Sequence, residues 1–508
     1  MSTLHDKLAD FPADALSGIR RGIEKEGLRV LPTGGLALTP HPLALGAALT
    51  HPLITTDYSE SQLELITGAH KGVEQCLGEL TEVHQFVHHT LKDSGELLWA
   101  SSMPCGLPTD ETIPLARYGS SNIGRAKSVY RMGLGHRYGR RMQTISGIHY
   151  NWSMPGVGSE QYFSLIRNFR RHAFVLLYLF GASPALCPCF VEGREHGLQT
   201  LGDSGSALYL PHATSLRMGR LGYQSDAQST LAVSYNGLAG YADSLHEALT
   251  QPYPAYEALG VRNPGGDYNQ LGTSLLQIEN EFYGTIRPKR TVHSGERPLH
   301  ALRERGVEYV EVRLMDLDPF VPEGITASTM RLLDVFLLHC LLSDSPPDTP
   351  AEIAELKNNQ HLTAERGREP GLCLHRNGQS VPLTTWGAEV LNACEPLAAA
   401  LDASHRTGDY SAALRDAQAL LSHPERTPSA RVLERIVQTH DNQFEFFARQ
   451  QSVQARDALL DLPWSEDQHA RYLAMAAQSI AAQKAIEAAD TLPFEAWRER
   501  YMDVGELG

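Results

Sequence analysis

GVEYVEVRLMDLDPF, Gly306 to Phe320, decides how the rest of the chain is read. Over its first half, β-branched and aromatic residues alternate with polar ones, the pattern of a strand with one buried face. Side chains on a strand alternate between faces, so Val310, Val312 and Leu314 share one side and Tyr309, Glu311 and Arg313 the other. A carboxylate two residues from a guanidinium, backed by an apolar face, suits phosphate chemistry. The carboxylate can hold a hard cation while the planar arginine fork grips phosphate oxygens. The plainer alternative is a surface ion pair on a half-exposed strand, which contributes little.

Three other stretches bear on that choice. GIRRGIEKEGLRV, Gly18 to Val30, reads as a strand with Glu24 and Glu26 on one face. Their Cα atoms would lie about 6.6 Å apart, and carboxylates that close repel unless a cation or water intervenes. Two magnesium ions about 4 Å apart would satisfy both. HPLITTDYSESQLELITG, His51 to Gly68, offers Asp57, Glu60 and Glu64. Asp57 and Glu64 meet on one helical face if the segment winds, or across a bend if it does not. MQTISGIHYNWS, Met142 to Ser153, reads as a strand with Gln143, His149 and Asn151 on one face. Gly147 in its middle permits close approach of another group.

Further signals are weaker. SLLQIENEFYGTIRPKR, Ser274 to Arg290, is expected to place Gln277, Glu279, Glu281 and Tyr283 on one strand face before the basic Arg287, Lys289 and Arg290. Those three suit a triphosphate, since arginine grips phosphate oxygens in pairs and lysine acts as a point charge. Residues 101–141 are rich in Gly, Ser, Pro and Arg; Arg131 could meet an anion there, but no Walker or dinucleotide motif is present. Helices are expected over residues 5–18, 73–91 and 160–180, and beyond Thr326 over Met330–Leu342, Pro350–Asn358, Ala388–Leu401, Tyr410–Leu421, Ala430–His440 and Asp467–Ala488. His84, His88 and His89 are read as a satisfied or solvated flank of their helix.

Composition bounds the partners. A formal charge of −15 over 508 residues argues against nucleic-acid binding. It also requires bound cations and a local Arg/Lys cluster for any polyanionic substrate. Seven cysteines form no disulfide framework, and Cys187-Pro-Cys189 lacks a matching pair for zinc, so it reads as packing or loop. There is no signal segment at the start, and the longest apolar run, Ala173 to Leu186, is too short to span a bilayer. A cytoplasmic protein with no membrane partner is expected.

Taken together, RGIEKEGLRV, LGAALTHPLITTDYSESQLELIT, SSMPC, YGSSNIGRAKSVYRMGL, YGRRMQTISGIHYNWS, YLFGASPALC, YLPHATSLRMGRLGY, LLQIENEFYGTIRPKR and EYVEVRLMDLDPF, in this order, resemble bacterial glutamate–cysteine ligases of the enterobacterial type. The ending SIAAQKAIEAADTLPFEAW is similar too. The resemblance implies an α+β fold: an antiparallel sheet curved into a funnel, glutamine-synthetase-like, covered by helices. Residues 1–508 would form a single catalytic domain, with a sheet core over 1–325 and a mainly helical outer layer over 326–508. It implies ATP as co-substrate, two or more Mg2+ ions with Mn2+ as an alternative, glutamate and cysteine as substrates, and glutathione as a candidate feedback inhibitor of a monomeric enzyme.

Carried over by position, the metal ligands would be Glu24, Glu26, Asp57, Glu64, His149 and Glu311, and Arg313 would meet the transferring phosphoryl group. Arg131 and Arg217 would contact a substrate carboxylate or phosphate, and Arg287, Lys289 and Arg290 the nucleotide phosphates. Tyr58, Tyr130, Leu134, Gln143, Tyr223 and Tyr283 would form the cysteine pocket. Tyr58 replaces the family's phenylalanine, which opens the same ligase chemistry with a different amine acceptor. The loop Pro155–Ser159 is shorter than in the enterobacterial enzymes. Two other classes compete: a guanidino kinase, which would need a dedicated cysteine at a guanidinium pocket, and a degenerate regulatory binder, which would have lost metal carboxylates.

Overall fold

A computed structural model describes residues 7–8, 11–203, 205–222, 226–229, 231–293, 295–503 and 505. Its main sheet has seven strands: β1 (Arg20–Val30), β2 (Ile54–Thr56), β3 (Gln62–Ile66), β4 (Leu97–Leu98), β5 (Ile148–Ser153), β6 (Ile286–Lys289) and β7 (Tyr309–Met315). The order is β2-β3-β1-β5-β7-β6, with β4 also paired to β1, and every pairing is antiparallel.

The alternation read from the sequence sets the two faces. Ile23, Tyr150, Trp152, Val310, Val312 and Leu314 are buried on one face against helices α1 (Val73–Leu91), α3 (Ser159–Phe180) and α4 (Ala327–Leu342). Burying a large apolar side chain contributes about 1.5–3 kcal/mol, so this face supplies the driving force for the layer. Beneath it, Arg21 and Asp334 form an ion pair at 3.0 Å with no exposed side-chain surface, and Tyr150 donates to Asp334 at 2.8 Å. Lys25 also turns inward, with Nζ 2.7 Å from His84 Nε2. Burial pushes Lys25 down to about 8 and His84 well below its ordinary value, so the histidine is satisfied rather than solvated.

Several expectations need correction. His51–Gly68 does not wind: Ile54–Ile66 is a hairpin that pairs Thr55 with Glu64. The glycine-rich stretch contains helix α2 (Asn122–Tyr138). Its glycines are close-approach points: a Cβ at Gly133 would lie 2.4 Å from Gln277, and one at Gly135 2.7 Å from the Tyr58 hydroxyl. The expected strand at 277–283 does not form. Glu279 and Glu281 are buried in a 3-10 turn, paired at 3.0 and 2.9 Å with Arg297 and Arg137. Of the helix expected over 5–18, residues 5–6 and 9–10 lie outside the described residues, 7–8 are helical, and 13–18 form turns.

The remaining helices fall near where they were read, with additions. Ala388–Leu401 is split into Leu383–Ala393 and Glu395–His405, and Phe444–Leu460 and Phe494–Tyr501 are helices with no earlier reading. One apolar cluster runs through residues from Ala15 to Ala476. Among the described residues no helix is long and apolar enough to cross a membrane.

Candidate active site

The other face of the main sheet is polar. Register places Glu26 opposite Glu64, Glu24 opposite His149, and Glu311 between Asn151 on β5 and Arg287 on β6. Alternation therefore turns Glu24, Glu26, Glu64, His149, Asn151, Arg287, Lys289, Glu311 and Arg313 toward one space. His149 is its hinge: Nδ1 lies 3.1 Å from Glu24 and 3.6 Å from Glu311, and Nε2 lies 3.7 Å from Glu26. Asn151 donates to Glu24 at 2.8 Å, and the Gly147 amide donates to Glu26 at 2.7 Å. Arg313 Nη1 lies 3.1 Å from Glu311 Oε1, and Lys289 Nζ lies 3.5 Å from the same oxygen.

The carboxyls divide into two electrostatic kinds. Burial would raise Glu311, but Lys289, Arg313, His149 and Arg287 more than offset this and hold it well below the ordinary range. For Glu24, burial and the charge of Glu311 would raise it, but the hydrogen bond with His149 together with the charges of His149 and Lys289 keeps it low. Glu64 is pushed well up, by burial and then by Glu24, Asp57 and Glu26; burial and Asp57 raise Glu26 as well. Carboxyls crowded this way take up protons unless a cation replaces them.

The donor set fits a hard divalent cation. One ligand atom each from Glu24, Glu64 and His149 lie within 4.8 Å of one another. Buried Glu311 Oε2 accepts no hydrogen bond from the described residues. Carboxylate oxygens suit Mg2+ or Mn2+, while a single imidazole is compatible with the latter. Asp57, half-buried just beyond β2, acts on Glu26, Glu64 and Arg313 through its charge and so belongs to the same cluster. Glu60 does not: it is buried and accepts from the backbone amides of His41 and Arg117 at 2.5 and 2.6 Å.

The arginines separate by role. Arg217 is buried, with Nη2 donating to the Arg313 carbonyl at 2.9 Å and Nη1 3.7 Å from Asp316. A Cβ at Gly147 would lie 2.0 Å from its guanidinium, which is the close approach that glycine permits. Arg217 therefore stands behind Arg313, and its charge also acts on Glu26. Arg131 caps the Asp57 carbonyl through Nε and lies 4.6 Å over the Tyr118 ring. The basic run does not point one way. Arg287 is tied to the carbonyls of Asn280 and Phe282, Lys289 faces Glu311, and Arg290 lies 3.8 Å from Glu308. All three line a cavity of about 320 Å3 together with Tyr241, Asn280 and Tyr309.

The expected cysteine-pocket residues fall on two elements and one side-chain pair. Tyr130 and Leu134 come from α2, Gln143 from the 3-10 turn Met142–Thr144, and Gln143 donates to the Tyr283 hydroxyl at 2.9 Å. Gln277 fixes the α2 side by donating to the Tyr130 carbonyl at 3.3 Å. Tyr58 is buried with its hydroxyl against Gly135, beside the Arg140 stem. Tyr223 lies outside the described residues. Gln277 and Asn151 are contributors whose roles the sequence did not single out: only the fold brings Gln277 against Gly133, and Asn151 is visible in the β5 alternation.

A family model described as glutamate–cysteine ligase matches residues 6–363. The glutamate–cysteine ligase of Alcanivorax borkumensis is 46% identical, covering 98% of both chains. That of Azotobacter vinelandii is 49% identical over 93% of this chain and 92% of its own. The crystal structure of the Francisella tularensis glutamate–cysteine ligase in complex with AMP superposes with a TM-score of 0.89 at 36% identity, covering 96% and 97% of the two chains. A bifunctional glutathione synthetase from Pasteurella multocida shares the fold, with a TM-score of 0.70 at 22% identity over 97% of this chain and 60% of its own. By the matched model, the identity to these relatives and the shared fold, the chain belongs to the glutamate–cysteine ligase family.

Proposed function

We propose how the polar face carries out this family's reaction. The chain is an ATP-dependent ligase that joins the γ-carboxylate of L-glutamate to the amine of L-cysteine, giving γ-glutamylcysteine, ADP and phosphate, the first step of glutathione biosynthesis. The observation that supports the mechanism is the row Glu24–His149–Glu311–Arg313, which alternates acid and base across three adjacent strands.

Glu24, Glu26, Asp57, Glu64 and Glu311, with His149, would hold two or more Mg2+ or Mn2+ ions, which supply neutralisation of triphosphate and acyl-phosphate charge. Arg313, fixed by Glu311 and backed by Arg217, meets the equatorial oxygens of the transferring phosphoryl group and offsets their charge. Lys289 and Arg287, with Arg290 at the cavity rim, orient the phosphates and so align the γ-phosphoryl with the glutamate carboxylate. Arg131 orients a substrate carboxylate beside Asp57. The γ-glutamyl phosphate is then attacked by the cysteine amine, and phosphate leaves. Tyr130, Leu134, Gln143 and Tyr283, with Tyr58 and Tyr223, hold the cysteine.

The shared apolar cluster from Ala15 to Ala476 supports reading residues 1–508 as one catalytic unit. All seven cysteines are free thiols, as a reducing cytoplasmic setting allows. A monomer with glutathione as feedback inhibitor completes the reading. ADP release with Mg-ATP and glutamate, measured without acceptor, with cysteine and with a panel of other amines, tests it. A sharp rise with cysteine and recovery of the dipeptide are expected. A larger rise with another amine would move the acceptor, and no release under any condition would overturn the reading.

A further inference from the structure

Away from the active site, Cys187-Pro-Cys189 finds the partner that its sequence lacked. Cys105, from the loop after β4, brings its Sγ within 4.8 Å of both the Cys187 and the Cys189 Sγ atoms. Cys187 and Cys189 are 3.1 Å apart, Cys105 is buried, and the other two stand at the half-buried rim. The backbone of Gly106 and of Leu107 acts on Cys187 and Cys189 respectively, in each case in favour of the thiolate. Amide donors aimed at sulfur offset thiolate charge, an outer-shell arrangement that tunes metal-bound cysteines.

The spacing also fits. Zn–S bonds of about 2.3 Å at tetrahedral angles put sulfurs about 3.8 Å apart, so the triad encloses such an ion once the Cys187–Cys189 pair opens by about 0.7 Å. Packing alone accounts for Cys105 among Met103, Leu107, Phe190 and Val191. It does not account for the other two sulfurs, which stand half-buried at the rim, 3.1 Å apart and both within 4.8 Å of Cys105. Arg141 reaches the Cys189 carbonyl but is paired with Asp110 and Glu192 at 3.0 and 2.9 Å, so the further positive charge nearby is Arg194, 6.0 Å over the Phe190 ring.

We propose that Cys105, Cys187 and Cys189 form a binding site for one soft, thiophilic d10 cation such as Zn2+, with solvent completing the coordination at the rim. The ion ties the loop at residues 103–107 to the turn Pro188–Phe190. The effect reaches the sheet, because Ser102, three residues before Cys105, accepts from the Leu317 amide at 2.8 Å just beyond β7. This is a stabilising site, separate from the hard-oxygen cluster on the polar face.

The test uses full-length protein, reduced with a phosphine, stripped with a chelator and held in saturating Mg2+ to occupy the oxygen cluster. Titration with Co2+ or Cd2+ alone should give one equivalent carrying a sulfur-to-metal charge-transfer band. Zn2+ should displace it and raise the thermal midpoint. Cys187→Ser and Cys189→Ser, both at the half-buried rim, should each weaken binding at least tenfold while turnover with Mg-ATP, glutamate and cysteine persists. Absence of the band, or binding unchanged in the Cys187→Ser/Cys189→Ser double variant, would overturn the proposal. So would isolation of the chain with Cys105 disulfide-bonded to either partner and no metal uptake after reduction.

Discussion

Arg217 holds Arg313 from behind: its Nη2 donates to the Arg313 carbonyl at 2.9 Å, and its guanidinium occupies the space beside Gly147 where any Cβ would fall 2.0 Å away. Gly147→Ala must therefore displace Arg217 and the end of β7 with it. Turnover should fall by more than tenfold, because misplacing a transition-state donor by about 1 Å costs on the order of a hundredfold. The KM for ATP should change less than kcat. Steady-state kinetics of the variant, with the fold confirmed by its thermal transition, checks this; wild-type kcat would contradict it.

Cation binding should release protons. Glu64 is pushed well above its ordinary value by burial and by Glu24, Asp57 and Glu26, and Glu26 is raised as well, so the metal-free site retains protons that bound metal must expel. The sign follows directly: apparent affinity for Mn2+ or Mg2+ rises with pH until those carboxyls are ionised. Calorimetry in two buffers of different ionisation enthalpy should show proton release that shrinks in Glu64→Gln. Buffer-independent heats would refute the crowding.

Tyr58 puts a hydroxyl in a buried position with no hydrogen-bond partner among the described residues, pressed on Gly135. Tyr58→Phe should thus leave the ratio of kcat/KM for cysteine over other amines within about twofold, since a lost interaction worth about 1.4 kcal/mol would change it tenfold. Stability should hold or rise, because a buried hydroxyl without a partner is costly. A changed acceptor ratio would put the hydroxyl in the pocket.

Lys25 provides a pH signature of the fold. Burial lowers its ammonium to about 8, against which Glu323 acts weakly. Its folded value lies below the unfolded one, so between pH 8 and about 10.4 the unfolded chain binds the extra proton and stability rises with pH, by at most about 1.4 kcal/mol per unit. Lys25→Met should be more stable than the wild type at pH 7, and the gap should narrow toward pH 10. Denaturant melts at several pH values test it; a constant gap would be contrary.

How much of this was legible depends on where each residue's partners lie. Glu311 and Arg313, and Glu24 and Glu26, declared their shared faces through alternation alone, because strand geometry is local. Helix α2 was hidden because Gly124, Gly133 and Gly135 lower helix propensity, and the close packing that requires them comes from Tyr118, Gln277 and Tyr58. Glu279 and Glu281 read as one face of a strand because Arg297 and Arg137, which neutralise them in a buried turn, are 18 and 144 residues away. Arg217 matched its motif, yet only the tertiary structure shows that it turns toward Asp316. The thiol triad was illegible for the same reason: Cys105 is 82 residues from Cys187.

The proposed mechanism requires Glu311 and Arg313, 3.1 Å apart on β7, to act together on the transferring phosphoryl group. The most direct measurement is single-turnover ADP formation from Mg-ATP and glutamate in Arg313→Lys and Glu311→Gln beside the wild type, with nucleotide affinity measured separately. The account predicts at least a hundredfold slower phosphoryl transfer in each, about 2.7 kcal/mol of lost transition-state stabilisation, with ATP binding in Arg313→Lys within a few-fold of normal. Phosphoryl transfer at the wild-type rate in Arg313→Lys would contradict it, since a lysine point charge cannot reproduce the bidentate fork.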